Sequence, residues 1–175
     1  MAQSTDREFD EFAVAAWPRL RRSAYLLTGD HHLAEDLAQT ALVRTYAHWR
    51  RVRRADALAY ARKVLVNANI DRLRRRRMVE VGDGEHGTDL SQLAGRADER
   101  SEERDEIVRM LGALTDRERR VVVLRHYFDL SEAEVARELD IAPGTVKSTL
   151  SRALGKLRVS TDQSIEDQIR GVVGR

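Results

Sequence analysis

The 175-residue sequence contains no cysteine, only two prolines, and only 5% aromatic residues. Without cysteine the chain has neither disulfides nor thiolate metal ligands, which is compatible with a reducing cytoplasm. No apolar run approaches the roughly 20 residues that span a bilayer. The acidic start, MAQSTDREFDEF, lacks the apolar core of a signal peptide. We therefore expect a cytoplasmic protein without membrane insertion.

Motifs for catalysis are also missing. No glycine-rich phosphate loop follows a strand, and no serine nucleophile motif occurs. The histidines do not pair with one another or with carboxylates at a metal-ligand spacing on a face expected to be buried. These histidines are His31, His32, His48, His86 and His126. We expect no enzyme, no metal and no cofactor.

Charge is plentiful but unevenly distributed. The formal net charge is +2, so the total says little about partners. Residues 44–77 hold twelve Lys or Arg against two acids, whereas residues 80–106 hold ten acids against three Arg. This asymmetry indicates a surface that faces a polyanion, followed by an acidic tether. By charge alone, solvated Arg-rich helices are an equally good interpretation.

Hydrophobic spacing predicts helices throughout and no strand. Apolar residues recur at helical intervals in three segments, 8–27, 31–49 and 58–77. Pro18 can kink or split the first of these helices, and Asp30 is placed to cap the second. The stretch from Met78 to Ser101 is rich in acids and glycine without periodicity, which is typical of a flexible linker.

Start signals for further helices follow this stretch. Capping boxes begin at Thr115 and Ser131, and Pro143 or Gly144 opens a last long helix that ends near Arg158. The predicted fold class is all-α, with two small helical domains joined by a flexible acidic linker. The predicted boundaries are 8–78 for the first domain, 79–103 for the linker, 104–158 for the second domain and 159–175 for a C-terminal tail.

The second predicted helix has a continuous polar strip on its exposed side. Its members are spaced i, i+3, i+4 and i+7, over about two turns. They are Asp36, Gln39, Thr40 and Val43. A strip that ends in an exposed valine suits docking on another protein, and a merely solvent-facing strip is the plainer alternative.

The helix at 58–77 combines a broad apolar face with an unusual polar one. At about 100° per residue, one group of side chains falls together opposite the apolar face. This group is Tyr60, Lys63, Asn67 and Arg74. One aromatic, one amide and two cations on the wet side of a packed helix favour a nucleic-acid surface.

Residues 131–158 have the proportions of a helix-turn-helix. In its second helix Thr145, Ser148 and Arg152 project away from the apolar seam, flanked by Lys147, Thr149, Ser151 and Lys156. Small hydroxyls let a helix settle into the major groove, while Lys and Arg reach phosphates or guanine edges. A helical hairpin with a polar face is the alternative to a DNA-reading element.

Three segments in order resemble a known family: LTGDHHLAEDLAQTALVRTY, YARKVLVNANIDRLRRRR and LTDRERRVVVLRHYFDLSEAEVARELDIAPGTVKSTLSRALGKLR. Together they cover most of residues 9–158. They resemble a small sigma factor of bacterial RNA polymerase, of the extracytoplasmic-function (ECF) family, which keeps only sigma regions 2 and 4. The resemblance implies a subunit that directs core polymerase to promoters and assists DNA opening at the −10 element.

The resemblance also implies residue roles. Core polymerase would bind the strip of Asp36, Gln39, Thr40 and Val43. The −10 element would contact Tyr60, Lys63, Asn67, Arg72, Arg74 and Arg75, with Asn67 holding a flipped-out base. The −35 element would contact Thr145, Lys147, Ser148, Thr149, Ser151 and Arg152. Thr40 stands where the family usually has Glu, and Thr149 where Arg is commoner, which removes a guanine reader.

The implied partners are the polymerase core, through the coiled coil of its largest subunit and its flap region, promoter DNA, and an anti-sigma factor. Three rival classes are less well supported. A stand-alone helix-turn-helix regulator needs a receiver or ligand domain, and residues 8–77 show no phosphoacceptor or pocket pattern. An RNA-binding or adaptor protein would use the Arg run without sequence preference. A metal-dependent nuclease lacks its ligand cluster.

Overall fold

The computed structural model describes residues 2–82 and 102–173, with side chains at 5–79 and 106–159. The described ranges are helices and short turns, without a strand. The chain divides into two compact units between Leu90 and Ser91. The all-α fold class is therefore confirmed. No helix in these ranges is long and apolar enough to cross a membrane.

The first unit is a bundle of three mutually packed helices. They are α1 (Ala2–Thr28), α2 (His31–Ala47) and α3 (Ala57–Gly82), and a 3-10 turn at Arg54–Asp56 leads into α3. Leu20 of α1 and Leu65 of α3 are fully buried, whereas α2 contributes mainly small residues such as Ala38. Small side chains on the central contacts let the helices approach closely.

The turn between α1 and α2 forms as its sequence predicts. Gly29 takes a positive φ of 70°, the left-handed conformation that ends many helices. The Asp30 carboxylate then accepts a hydrogen bond from the Leu33 N–H at 2.8 Å and caps α2. Pro18, in contrast, does not split α1, which is continuous from Ala2 to Thr28. Pro18 lies on the exposed side, so the carbonyl that lacks its N–H partner faces water rather than the core.

Helix α3 continues to Gly82, four residues beyond the predicted end of the first domain at residue 78, and α4 begins at Glu102. Residues 83–101, most of the predicted linker, lie outside the described ranges. Charged residues such as Arg77 and Glu80 have good helix propensity, which favours this continuation of α3. The domain boundaries themselves stay a prediction.

The described part of the second unit contains four helices. They are α4 (Glu102–Gly112), α5 (Asp116–Val122), α6 (Glu132–Leu139) and α7 (Pro143–Val173), and a π-helical turn at Val123–Tyr127 extends α5. Both predicted capping boxes are present, at Thr115 and at Ser131. Helix α6 ends at Asp140 in a left-handed conformation with φ 53°. Helix α7 runs to Val173, beyond the end near Arg158 that the sequence predicts.

A buried arginine closes the end of α4. Arg119 is 5% exposed, and its Nε donates to the carbonyl of Leu111 at 2.9 Å while Nη2 donates to the carbonyl of Leu114 at 3.4 Å. Burial lowers the pKa of Arg119. Its hydrogen bonds satisfy carbonyls that the helix end leaves without intrahelical partners. The charge therefore supports the core on which α7 rests.

Candidate nucleic-acid interfaces

The predicted strip on α2 is at the surface. Asp36, Gln39 and Val43 are exposed, Val43 by 68%, and Thr40 is half-buried. The exposure of a large apolar residue beside polar ones suits a protein-docking surface.

Tyr46 prolongs the same strip, three residues beyond Val43. It is 49% exposed, and its hydroxyl donates to Oδ1 of Asp6 at 2.9 Å. That hydrogen bond and the charge of the Asp6 carboxylate raise the pKa of Tyr46. Sequence reasoning missed Tyr46, although the i+3 spacing was available as a signal.

Helix α3 separates its two faces as predicted. Ala61, Leu65 and Ala68 are buried, whereas Lys63 and Asn67 are exposed. The remaining members of the predicted face are half-buried Tyr60 and exposed Arg74 and Arg75. An exposed amide can donate and accept at once, and can therefore pair with the edge of a base.

Arg72 differs from the other arginines of α3. Its Nε and Nη2 donate to Oδ1 of Asn69, at 3.3 and 3.2 Å, and its side chain is half-buried. Asn69 is 1% exposed, which the sequence analysis did not foresee. Arg72 and Asn69 thus hold each other beside Asn67, whereas Arg74, Arg75 and Arg77 are exposed cations at this end of the helix.

The polar face of α7 is formed by residues at the start of the helix. Lys147, Ser148, Ser151 and Arg152 are exposed and Thr145 is half-buried, while Val146 and Ala153 on the other side are fully buried. These side chains have the chemistry of a major-groove helix, with hydroxyls for close approach and cations for phosphate or guanine.

Thr149 does not belong to this face, and the prediction that it contacts DNA is wrong for its side chain. It is 1% exposed. It lies three residues after Val146 and four before Ala153, which places it in the buried seam. Its Oγ1 has no hydrogen-bond partner within the described part of the chain. The hydroxyl suggested that Thr149 faces solvent, but its position in the helical repeat turns its side chain toward the core.

Metal binding finds no support in these ranges. Among the described residues, no three His, Asp or Glu side chains come together in a group that could hold an ion. In these ranges, polar and cationic side chains lie on the exposed faces of α3 and α7, and α2 carries an exposed strip that includes Val43.

Comparison with known proteins assigns both units to one class. Residues 14–78 match the family model for Sigma-70 region 2, and residues 104–157 match that for Sigma-70, region 4. The α2 strip and the α3 face lie in the first match, and the polar face of α7 in the second. The class is thus the sigma factors, which are transcription initiation factors rather than enzymes in the usual sense.

Similar proteins show to which family of sigma factors the chain belongs. The RNA polymerase sigma-E factor of Streptomyces avermitilis is 40% identical over 161 residues, covering 90% of this chain and 87% of the relative. The ECF RNA polymerase sigma factor SigL of Mycobacterium tuberculosis is 31% identical over 161 residues, covering 89% and 87%. The chain belongs to the ECF family of RNA polymerase sigma factors, which direct the polymerase to promoters.

A solved structure agrees with this assignment. The sigma factor RpoE of Bartonella quintana, in a co-crystal with the anti-sigma factor NepR, aligns with a TM-score of 0.70 and 26% identity. The alignment covers 87% of this chain and 95% of RpoE. The family predicted from the three sequence segments is therefore confirmed.

Proposed function

We propose that this ECF sigma factor binds core RNA polymerase through the α2 strip and reads promoters with α3 and α7. The observation that carries the proposal is the exposed amide of Asn67 beside Lys63, on a helix whose other face is packed. One turn apart on the same face, the amide can pair with the edge of a base and the ammonium group can bind a phosphate. A surface that captures an unpaired base and holds the neighbouring phosphate needs both groups.

Docking on the polymerase falls to Asp36, Gln39, Thr40 and Val43. The exposed valine provides the apolar contact, and the polar residues around it set the register on the coiled coil of the largest subunit. Thr40 offers a hydroxyl where the family usually has a carboxylate. Its contact with the polymerase is therefore a neutral hydrogen bond instead of an ionic one. The flap region is the corresponding partner of the second unit.

DNA reading is divided between the units. In the first, Asn67 receives a base extruded from the −10 element, and Tyr60, Lys63, Arg74 and Arg75 contact its surroundings. Capture offsets an unstacking cost of a few kcal/mol. In the second, the exposed face of α7 reads the −35 element through Lys147, Ser148, Ser151 and Arg152, with Thr145 at its edge. Arg72, tied to Asn69, acts mainly as a support.

Docking on the polymerase makes the two surfaces act together. Each is small, so the free protein binds promoter DNA poorly. Held on the core at a suitable spacing, the second contact becomes intramolecular and gains from effective concentration. The chain acts in the cytoplasm, where the polymerase is. Because RpoE of Bartonella quintana was crystallised with an anti-sigma factor, we include such a factor among the partners.

Run-off transcription tests the proposal. Purified protein, core polymerase and sheared genomic DNA are combined, and transcript starts are mapped. We expect a small set of start sites that share upstream elements and that core alone does not produce. No association with core, or starts without a shared sequence, would contradict the sigma function. A mobility-shift assay without polymerase separates it from a stand-alone regulator, which would bind duplex DNA by itself.

A further inference from the structure

The connector between α2 and α3, residues 48–56, is strongly basic, and the proposed function gives it no role. Four exposed arginines lie within five residues of it: Arg50, Arg51, Arg53 and Arg54. The connector begins against the α3 face, since the ring centroids of His48 and Tyr60 are 6.1 Å apart. The basic connector therefore begins beside Tyr60, a member of the surface proposed for the −10 element.

Arg54 differs from the other three because it is bound on several sides. Its Nε and Nη2 donate to Oε2 of Glu8 at 2.9 and 2.8 Å. Its Nη1 donates to the carbonyl of Trp49 at 2.9 Å, and its guanidinium lies 3.9 Å from the centre of the Trp49 ring. A planar fork that makes an ion pair, a backbone hydrogen bond and a cation–π contact is fixed more firmly than an exposed ion pair alone.

These contacts join three parts of the first unit. Glu8 belongs to α1, Trp49 follows the end of α2, and Arg54 begins the turn into α3. Trp49 is 2% exposed, and Phe9 and Phe12 of α1 pack on it with ring centroids 5.1 Å away. The first turns of α1 thus hold the connector at two points, the buried ring of Trp49 and the guanidinium of Arg54.

We propose that Glu8 and Arg54 are positioning residues for promoter binding: they hold the connector so that Arg50, Arg51 and Arg53 present a fixed phosphate-binding site next to Asn67. The ligand is the DNA backbone flanking the −10 element, and the inference rests on the proposed function. Cations held in place lose less freedom when they bind phosphate than cations on a mobile loop.

The substitution Glu8→Gln distinguishes our proposal from a purely electrostatic effect, because the two predict opposite changes in DNA affinity. Glu8→Gln removes a negative charge from a DNA-binding unit, so a charge-only surface would bind DNA more tightly. Under our proposal the same change releases Arg54 and loosens the connector, and binding weakens. Glu11→Gln is the matched control, because Glu11 lies on the same helix and its substitution removes the same charge. Within the described residues, Glu11 pairs with neighbouring Arg7 at 3.2 Å.

The experiment measures binding of reconstituted holoenzyme to fork-junction DNA with a single-stranded −10 element, over a range of salt concentrations. We expect Glu8→Gln to weaken binding about threefold to tenfold, a loss of the size expected for one supporting contact, and Glu11→Gln to leave it unchanged or tighter. Arg51→Ala should lower the slope of log affinity against log salt by roughly 0.7–0.9, the value for one lost phosphate contact. Glu8→Gln should reduce this slope as well.

Two further measurements separate a failure of this inference from a failure of the proposed function: the behaviour of Arg54→Lys and the promoter preference of wild-type holoenzyme. Arg54→Lys keeps the charge but loses the planar fork, and should weaken binding like Glu8→Gln while thermal melting and core affinity stay close to wild type. If Glu8→Gln behaves like Glu11→Gln, or the Arg51→Ala slope is unchanged, the inference is wrong although the sigma function stands. If wild-type holoenzyme does not prefer promoter over scrambled DNA, the proposed function itself fails.

Discussion

Lys156 of α7 lies with its Nζ 2.8 Å from Oε2 of Glu118 in α5. The same carboxylate oxygen accepts the Thr115 N–H at 2.9 Å, so one atom serves both the capping box of α5 and the tie to α7. Burial by itself raises the pKa of Glu118, but the hydrogen bonds from Lys156 and Thr115 outweigh it, and the pKa lies below its ordinary value. Helix α7 is thus tied to α5 at a point beyond its polar face.

We predict that Glu118→Gln destabilises the second unit by about 1 kcal/mol at neutral pH, since the partly exposed ion pair is lost while the amide can still cap α5. The folded-state pKa of Glu118 is lowered, so its contribution is present above the unfolded value near 4.5 and disappears as pH falls through the folded pKa. The difference from wild type should therefore shrink below about pH 4.

Native-state hydrogen exchange of α5 and α7 amides in the full chain measures this difference at pH 7 and at lower pH. Glu35→Gln provides the control, because Glu35 pairs with Arg21 at 3.2 Å with both side chains nearly half exposed, and exposed pairs contribute little. An effect of Glu118→Gln that grows on acidification would contradict the assigned protonation state.

Replacing Asn67 by Ala should abolish the base preference at one position of the −10 element. The loss corresponds to about 1–3 kcal/mol, or roughly 5- to 150-fold, for the preferred base. Arg74→Ala and Arg75→Ala should instead weaken all sequences about equally and reduce the salt dependence. Transcription from templates permuted at each −10 position measures both effects. Loss of core binding in Asn67→Ala would show that the division of roles between α2 and α3 is wrong.

Val43→Glu should lower affinity for core polymerase by about tenfold or more, because it places a charge at the apolar centre of the proposed docking strip. Val14→Glu is its matched control. Val14 is 76% exposed, close to the 68% of Val43, but lies on α1. Titration of labelled core with each variant gives both dissociation constants. Equal losses for the two variants would exclude the α2 strip as the specific site.

The features that depend on neighbouring residues, namely helix caps and helix faces, could be predicted from the sequence. The caps at Asp30, Thr115 and Ser131 follow from side chains that accept the N–H groups of the next turn, and these can be found in four consecutive letters. The two faces of α3 follow from periodicity. Thr149 lies on the buried side, as its spacing from Val146 requires. We had predicted it on the exposed face because its side chain is polar, although the helical spacing indicated burial.

Contacts between residues far apart in the sequence could not be predicted from it. Glu8 and Arg54 are 46 residues apart, and Glu118 and Lys156 are 38 apart. Each is an ordinary charged surface residue by composition, and only the packing of helices makes it a support. The polar faces proposed to contact DNA could therefore be located from the sequence, whereas the residues that hold their helices in place could not.

The buried hydroxyl of Thr149 leads to the last prediction. A buried polar group without a hydrogen bond costs about 1–3 kcal/mol, so Thr149→Val, which replaces the hydroxyl by a methyl of similar size, should stabilise the second unit by about 1 kcal/mol. Promoter selectivity at the −35 element should stay unchanged, because the side chain is 1% exposed.

The control for this change is Ser148→Ala, which removes a hydroxyl from the exposed face of the same helix. It should alter −35 selectivity with little effect on stability, since Ser148 Oγ only donates to the Thr145 carbonyl, at 3.2 Å, before DNA binds. Hydrogen exchange in α7 and transcription from −35 permuted templates measure the two properties separately. A change of selectivity in Thr149→Val with unaltered stability would restore Thr149 to the reading face and overturn the buried assignment.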